Sequence, residues 1–303
     1  MDAEELGRLW DAAGGGGDRP PAGPGLLGLQ LVDDPAALTG MALAVLGLPL
    51  NGSAEGPTAV RAASQAYADW LPALGGGFRA TDYGDVGVAV DDVAVAFMQA
   101  HEHLADIVAA GAAPLVIGGD ALVSVPVMQV LSGKLRGRLG VVAFTPFYEV
   151  APEPAYAASS RWARALELGV VSPANLVLIG GRAAPPDGPA RRVLDRLGAG
   201  AYSLGDVLRD GMETVAQEAL EAAASGTEAV YLSVDLRVVA GAGDPVGLEA
   251  RELIAGVGAV AGALLAAADI CGAVPGMVAA DVTARTAARV AAEIVVGVAG
   301  RLA

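Results

Sequence analysis

Residues 116–124 read VIGGDALVS, an apolar run that ends in a Gly-Gly-Asp turn. A short run of this kind, closed by glycines, suits a strand buried on both faces. In an open parallel sheet, the turn after such a strand is where ligands and reacting groups are placed. A metal ligand or a nucleophile is therefore expected just after the aspartate, yet position 121 is alanine.

Working outward, similar runs occur at 42–48 (ALAVLGL), 114–118 (PLVIG), 139–144 (LGVVAF), 175–180 (NLVLIG), 229–234 (AVYLSV) and 277–282 (MVAADV). Between them lie longer Ala-rich stretches of helical period at 91–110, 157–169, 189–197, 211–225, 249–268 and 284–302. The alternation predicts an α/β fold, a three-layer α/β/α sandwich around a mainly parallel sheet. Residues 12–28 (AAGGGGDRPPAGPGLLG) are too dense in Gly and Pro to continue a helix or a central strand. Residues 1–38 are accordingly predicted to be a mobile or surface-laid extension ahead of one α/β domain at 39–303.

Lys and Arg number 19 against 34 Asp and Glu, a formal charge of -15 that repels phosphate backbones and anionic lipid. Nucleic acid and membrane surfaces are not expected partners. The longest uncharged stretches, 35–54 and 253–268, are rich in Ala and Gly and do not match the roughly 20 strongly apolar residues of a spanning helix. The acidic start MDAEELGRLW has no apolar signal core, so a cytoplasmic location is expected. Cys271 is the only cysteine, which excludes an intrachain disulfide and a thiolate cluster and reads as a small core residue.

The strand ends that could carry chemistry are GGDA at 118–121, FTPFYE at 144–149, SVDLR at 233–237 and DVTA at 281–284. Their polar residues are Asp120, Thr145, Tyr148, Glu149, Ser233, Asp235, Arg237 and Asp281. Two readings stand open for each: a shared pocket, or local duty as helix caps and strand ends. Tyr148 and Trp162 are read either as pocket lining or as core. His101 and His103 are the only histidines. On a helix, positions i and i+2 point about 200° apart, so solvated helix residues are the better reading for them. GVGAVAG at 256–262 has the wrong glycine spacing for a nucleotide loop and is read as permitting close helix packing. Ser124 and Ser233 have no histidine near them for a nucleophilic triad.

From about residue 40 onward the chain resembles the ureohydrolase family of arginases, agmatinases and their relatives. The resemblance is carried by GPTAVR (56–61), DYGDV (82–86), PLVIGGD (114–120), LGVV (139–142), RALELGV (164–170), LVLIGGR (176–182), YLSVD (231–235), ARELI (250–254) and TAARVAAEIV (286–295), which occur in the family's order. It implies an arginase-like fold, homo-oligomers (trimers or hexamers), and two manganese ions. In the family these ions are held by a histidine after Gly-Gly-Asp, by an Asp-Ala-His-x-Asp motif and by a Ser-x-Asp-x-Asp motif. On this sequence the first histidine position is Ala121, the middle motif falls on Thr145 to Glu149 with Phe147 at its histidine, and in the last motif Asp235 is kept while Arg237 replaces its partner. The loop before Gly56 is short for the family, and the family's acidic residue near DVTA falls on Ala284.

A methyl group and a phenyl ring donate nothing to a metal, and a guanidinium places positive charge where a cation would sit. No metal and no cofactor are expected. The substitutions read as coordinated, because desolvated like-charged carboxylates left without metals would repel one another. Two carboxylates remain, and Arg237 is expected to pair with Asp235 or Glu149. Three functions follow as readings. The first is a non-hydrolytic, ligand-binding or regulatory pseudoenzyme. The second is a metal-independent enzyme acting on a small polar metabolite, with Glu149 or Asp235 as acid or base, Tyr148 as proton donor or orienter and Arg237 as anion anchor. The third is a residual C–N hydrolase with one weakly held metal on Asp235, Glu149 and Asp120. Candidate ligand-binding residues are Asp120, Thr145, Tyr148 and Arg237.

Overall fold

The structure, a computed structural model, describes residues 23–50, 55–74, 77–87, 93–135, 137–152, 157–182, 188–272 and 280–301. The element order is β1 (Leu43–Leu48), α1 (Gly56–Ser64), α2 (Trp70–Ala73), β2 (Ala80–Asp85), α3 (Val93–Ala109), β3 (Ala113–Gly118), α4 (Ser124–Leu135), β4 (Leu139–Phe144), α5 (Arg161–Glu167) and β5 (Val171–Gly181). It continues with α6 (Pro189–Leu197), β6 (Gly200–Ser203), α7 (Leu204–Asp210), α8 (Met212–Ala224), β7 (Ala229–Asp235), α9 (Ala250–Ala261), β8 (Leu265–Cys271) and α10 (Ala280–Gly300).

The strands form one eight-stranded sheet in the order β2-β1-β3-β8-β7-β4-β5-β6, and every neighbouring pair is parallel. The period-two alternation of a strand divides its side chains between two cores. Leu43, Val45, Leu115 and Ile117 join one core with α8, α9 and α10; Ala44, Leu46 and Val116 join the other with α3, α4 and Trp162 of α5. Both faces are thus covered, which gives the expected α/β/α sandwich. Local signals set the boundaries. Ser203 and Asp206 form a reciprocal cap at the start of α7, and Gly198 closes α6 at φ 73°, a conformation that favours glycine.

Three expectations are corrected. The stretch 249–268 is not one helix: α9 ends at Ala261, and Leu265 begins the central strand β8. The strand expected at 277–282 is not found, since 280–282 open α10 and 277–279 lie outside the described residues. Strands β2 and β6, not expected, form the two edges of the sheet. The β2 sequence (ATDYGD) is mostly polar although its four middle residues are buried, so it lacks the apolar run that marks the central strands.

Of the predicted extension, the described residues 23–38 pack onto the domain, with Gln30 and Val32 bonded to edge strand β2. Leu26, Leu27 and Leu38 are buried, the Leu26 amide donates to Asp82 Oδ2 at 2.8 Å and the Leu27 amide donates to Ser64 Oγ at 2.7 Å. Buried Arg61 of the GPTAVR segment holds the same Asp82 through Nε at 2.8 Å and Nη2 at 2.9 Å.

Candidate functional site

The carboxyl ends of β3, β8, β7 and β4 lie side by side at the middle of the sheet. The Gly272 amide after β8 donates to Gly119 O after β3 at 3.0 Å, which fastens two of these ends together. Gly272 has φ 82°, and a Cβ there would lie 2.9 Å from Asp235 Oδ1, so only glycine lets this turn approach the carboxylate.

Asp235 ends β7 and is fully buried. Its carboxylate accepts the Arg237 amide at 3.0 Å, shaping the turn Leu236–Val238 so that the Arg237 side chain folds back along it. Arg237 Nε then donates to Asp235 Oδ1 at 2.9 Å, and Nη2 donates to Oδ2 at 2.6 Å and to Glu149 Oε1 at 3.2 Å. The expected pairing therefore involves both carboxylates. Glu149 follows β4 in the left-handed region, φ 43°, which aims its buried carboxylate inward.

Beneath lies a layer that the residue pattern did not disclose. Arg161, the first residue of α5, is fully buried and ion-paired to Glu149 through Nε. Its Nη1 donates to Ser124 Oγ at 3.4 Å and Ser233 Oγ at 3.3 Å, and lies 4.0 Å from Cys271 Sγ. Both serines in turn donate to Asp269, at 2.7 and 3.0 Å, as does the Tyr231 hydroxyl. Asp269 sits inside the apolar run LAAADIC, and that lone acid was the signal available in the sequence. Arg161 offered none, because its proximity to Glu149 arises from the loop between β4 and α5.

Electrostatics follow from burial. Desolvation pushes the Glu149 carboxyl up, to about 7, against the lowering influence of Arg161 and Arg237 and with an upward contribution from Asp235. Burial also raises Asp269, despite Arg161, and the Cys271 thiol. For Arg237 burial is the largest single influence and works against the charge, but the bonds to Asp235 together with the nearby charges of Asp235 and Glu149 outweigh it, leaving the guanidinium above its ordinary value.

The remaining candidates divide. Tyr148 is buried against Gly181 and, with Phe147, Glu149, Ala190 and Arg237, lines a cavity of about 420 Å³. Thr145 Oγ1 donates to Phe147 O at 2.9 Å and closes its own turn. Asp120 accepts the Leu122 amide at 2.8 Å as a cap. Ser233 belongs to the buried layer. The Asp281 side chain lies outside the described residues. Trp162 is core, fully buried, and Gly256 of the GVGAVAG stretch brings α9 against Phe144 and Met212, where a Cβ would lie 2.8 and 2.7 Å away. His101 is exposed, and His103 Nδ1 lies 3.0 Å from Gln99 O.

This is a parallel α/β protein whose central strand ends hold carboxylates clasped by guanidinium groups. A profile of the arginase family matches residues 34–297, and the chain belongs to that family. It is 28% identical to the arginase of Brevibacillus brevis over 271 residues, covering 75% of this chain and 87% of that protein. It is 24% identical to the formimidoylglutamase of Halalkalibacterium halodurans over 217 residues, covering 68% of this chain and 66% of that protein. Among solved structures, formimidoylglutamase from Bacillus subtilis superposes with a TM-score of 0.80 at 19% identity, over 96% of this chain and 98% of that one, a likeness of fold.

The manganese pair implied by the resemblance does not fit the residues present. Both Asp235 oxygens and one Glu149 oxygen accept bonds from Arg237, the other Glu149 oxygen faces Arg161, and Ala121 is a buried methyl. A guanidinium between the carboxylates takes up both the space and the charge that a dication would need. Among the described residues no group of three or more His, Cys, Asp or Glu is arranged to hold a metal. Nor is any helix among them long and apolar enough to cross a membrane.

Proposed function

We propose that this chain is a non-hydrolytic member of the arginase family, a ligand-binding or regulatory pseudoenzyme in which guanidinium groups stand where dications would. One observation carries the reading: Arg237 lies between Asp235 and Glu149 and bonds to both. The second cation, Arg161, compensates Glu149 from below. Together they neutralise the surviving carboxylates without a metal, so the fold keeps a charged centre that does not depend on one. In this reading the protein is cytoplasmic and assembles with copies of itself as a trimer or hexamer.

The direct test is hydrolysis of arginine and of formimidoylglutamate, the compounds the relatives' names designate, with added manganese. No product above the rate without protein is expected; turnover that depends on manganese contradicts the reading.

A specific observation favours a second reading, a metal-independent acid–base enzyme. Glu149, with a carboxyl raised to about 7 by burial, lies beside Tyr148 at a cavity wall. The two readings part on Glu149→Gln, which abolishes turnover in the second and leaves ligand binding intact in the first.

A further inference from the structure

We infer that the cavity beside Arg237 binds a small carboxylate, with the carboxylate on the outer edge of that guanidinium and an apolar body against Tyr148, Val150, Ala151, Ala158 and Ala190. This rests on the reading of the site as a metal-free ligand-binding one and adds the chemical class of the ligand.

Three observations converge. Arg237 is held in place on one edge, by Asp235 and Glu149, while its Nη1 has no hydrogen-bond partner among the described residues and the side chain keeps 35% of its exposure. A guanidinium fixed by its inner atoms loses little freedom on binding, and with Nε and Nη2 committed to Asp235 and Glu149 the Nη1 hydrogens remain to donate a charge-assisted bond to a carboxylate oxygen. The neighbouring acid does not compete: Glu149 is only 4% exposed at its side chain, and both its oxygens face Arg161 and Arg237. Among the described residues the rest of the lining is apolar apart from Ser159 and the Tyr148 hydroxyl, and the cavity volume of about 420 Å³ falls in the range of about 300–1,000 Å³ usual for small-ligand pockets.

Charge sets the sign of the selectivity. The Arg237 guanidinium lies 5.5 Å from the centre of the Phe147 ring and that of Arg182 lies 6.0 Å from it, so two cations flank the same half-exposed aromatic. A cationic head group would meet like charge and, among the described residues, no available acceptor of matching strength. A neutral amide would keep one acceptor and lose the charge-assisted component. The order of preference is therefore carboxylate, then amide, then amine.

The experiment uses the full chain, with metal content measured on the same sample, and three probes that share one body: 3-phenylpropanoate, 3-phenylpropanamide and 3-phenylpropylamine. Binding is read by saturation-transfer NMR and titration. The carboxylate is expected to bind at least tenfold more tightly than either of the others. Because Arg237→Ala removes a buried partner and can unfold the protein, the companion variant is Ala190→Leu, which fills the cavity from α6 without touching the ion pairs. It should abolish binding while leaving the unfolding midpoint unchanged. Equal binding of the three probes, or carboxylate binding that survives Ala190→Leu, overturns the inference and leaves the metal-free reading standing. Carboxylate binding that disappears on chelation overturns both, since the probe would then have been sitting on a metal.

Discussion

Arg237 grips Asp235 through two parallel bonds, Nε to Oδ1 at 2.9 Å and Nη2 to Oδ2 at 2.6 Å, with the carboxylate fully buried and the guanidinium partly in solvent. Removing the guanidinium leaves a buried anion facing Glu149. Arg237→Ala is expected to lose about 2–3 kcal/mol, below the ~3–5 of a fully buried pair because Arg237 keeps one edge in solvent. Equilibrium urea unfolding measures it, and an unchanged midpoint would contradict the pairing.

Arg161 and Glu149 form the deeper pair, exposed at 0% and 4% at their side chains. Arg161→Met should cost about 3–5 kcal/mol, because it strands Glu149 and removes the donor facing Ser124 and Ser233. Adding Glu149→Gln to that variant should recover part of the loss. A double-mutant cycle with a coupling near zero would show that the two act independently.

The Glu149 carboxyl, raised by burial to about 7, gives folding stability a defined pH slope. In the unfolded chain the group loses its proton near its ordinary value of 4.5, whereas the folded protein holds the proton longer. The folded state binds more protons in that window. The stabilising contribution is thus complete below about 4.5 and declines as pH rises through about 7, by on the order of 1–3 kcal/mol. Urea midpoints at pH 5 and pH 8 should differ less in Glu149→Gln than in the parent; identical differences would place the carboxyl in its ordinary range.

Gly272 meets Asp235 from the turn after β8. A side chain there must adopt φ 82° and place its Cβ 2.9 Å from Asp235 Oδ1. Gly272→Ala is expected to destabilise by about 1–3 kcal/mol through strain and to loosen the Arg237 clasp. Thermal unfolding with and without 3-phenylpropanoate would register both effects, and a fully tolerated alanine would show the turn to be free to move.

Much of the fold was legible in the sequence, because β1, β3, β4, β5 and β7 are strands covered on both faces, whose apolar runs stand out from Ala-rich helices. The failures have physical causes. Edge strand β2 carries a buried Asp82 that serves Arg61, so polarity masked it. β8 is Ala-rich and follows an Ala-rich helix after a break of three residues, so the two merged into one helical pattern. Asp269 stands just past the end of that helical pattern, where a lone acid suggests a helix terminus in solvent rather than a buried strand. In the site, SVDLR disclosed Asp235 and Arg237, whose pairing is local. Arg161 remained hidden because only the tertiary fold brings it under Glu149.

The central claim is that guanidinium groups hold the place of metal ions at the strand ends. Metal content, measured by inductively coupled plasma mass spectrometry on protein expressed with added manganese and then desalted, tests it most directly. The account calls for near-zero metal and for an unfolding midpoint that chelation does not move. One or two tightly held ions per chain, with a midpoint that falls on chelation, would contradict it and return the site to metal-dependent hydrolysis.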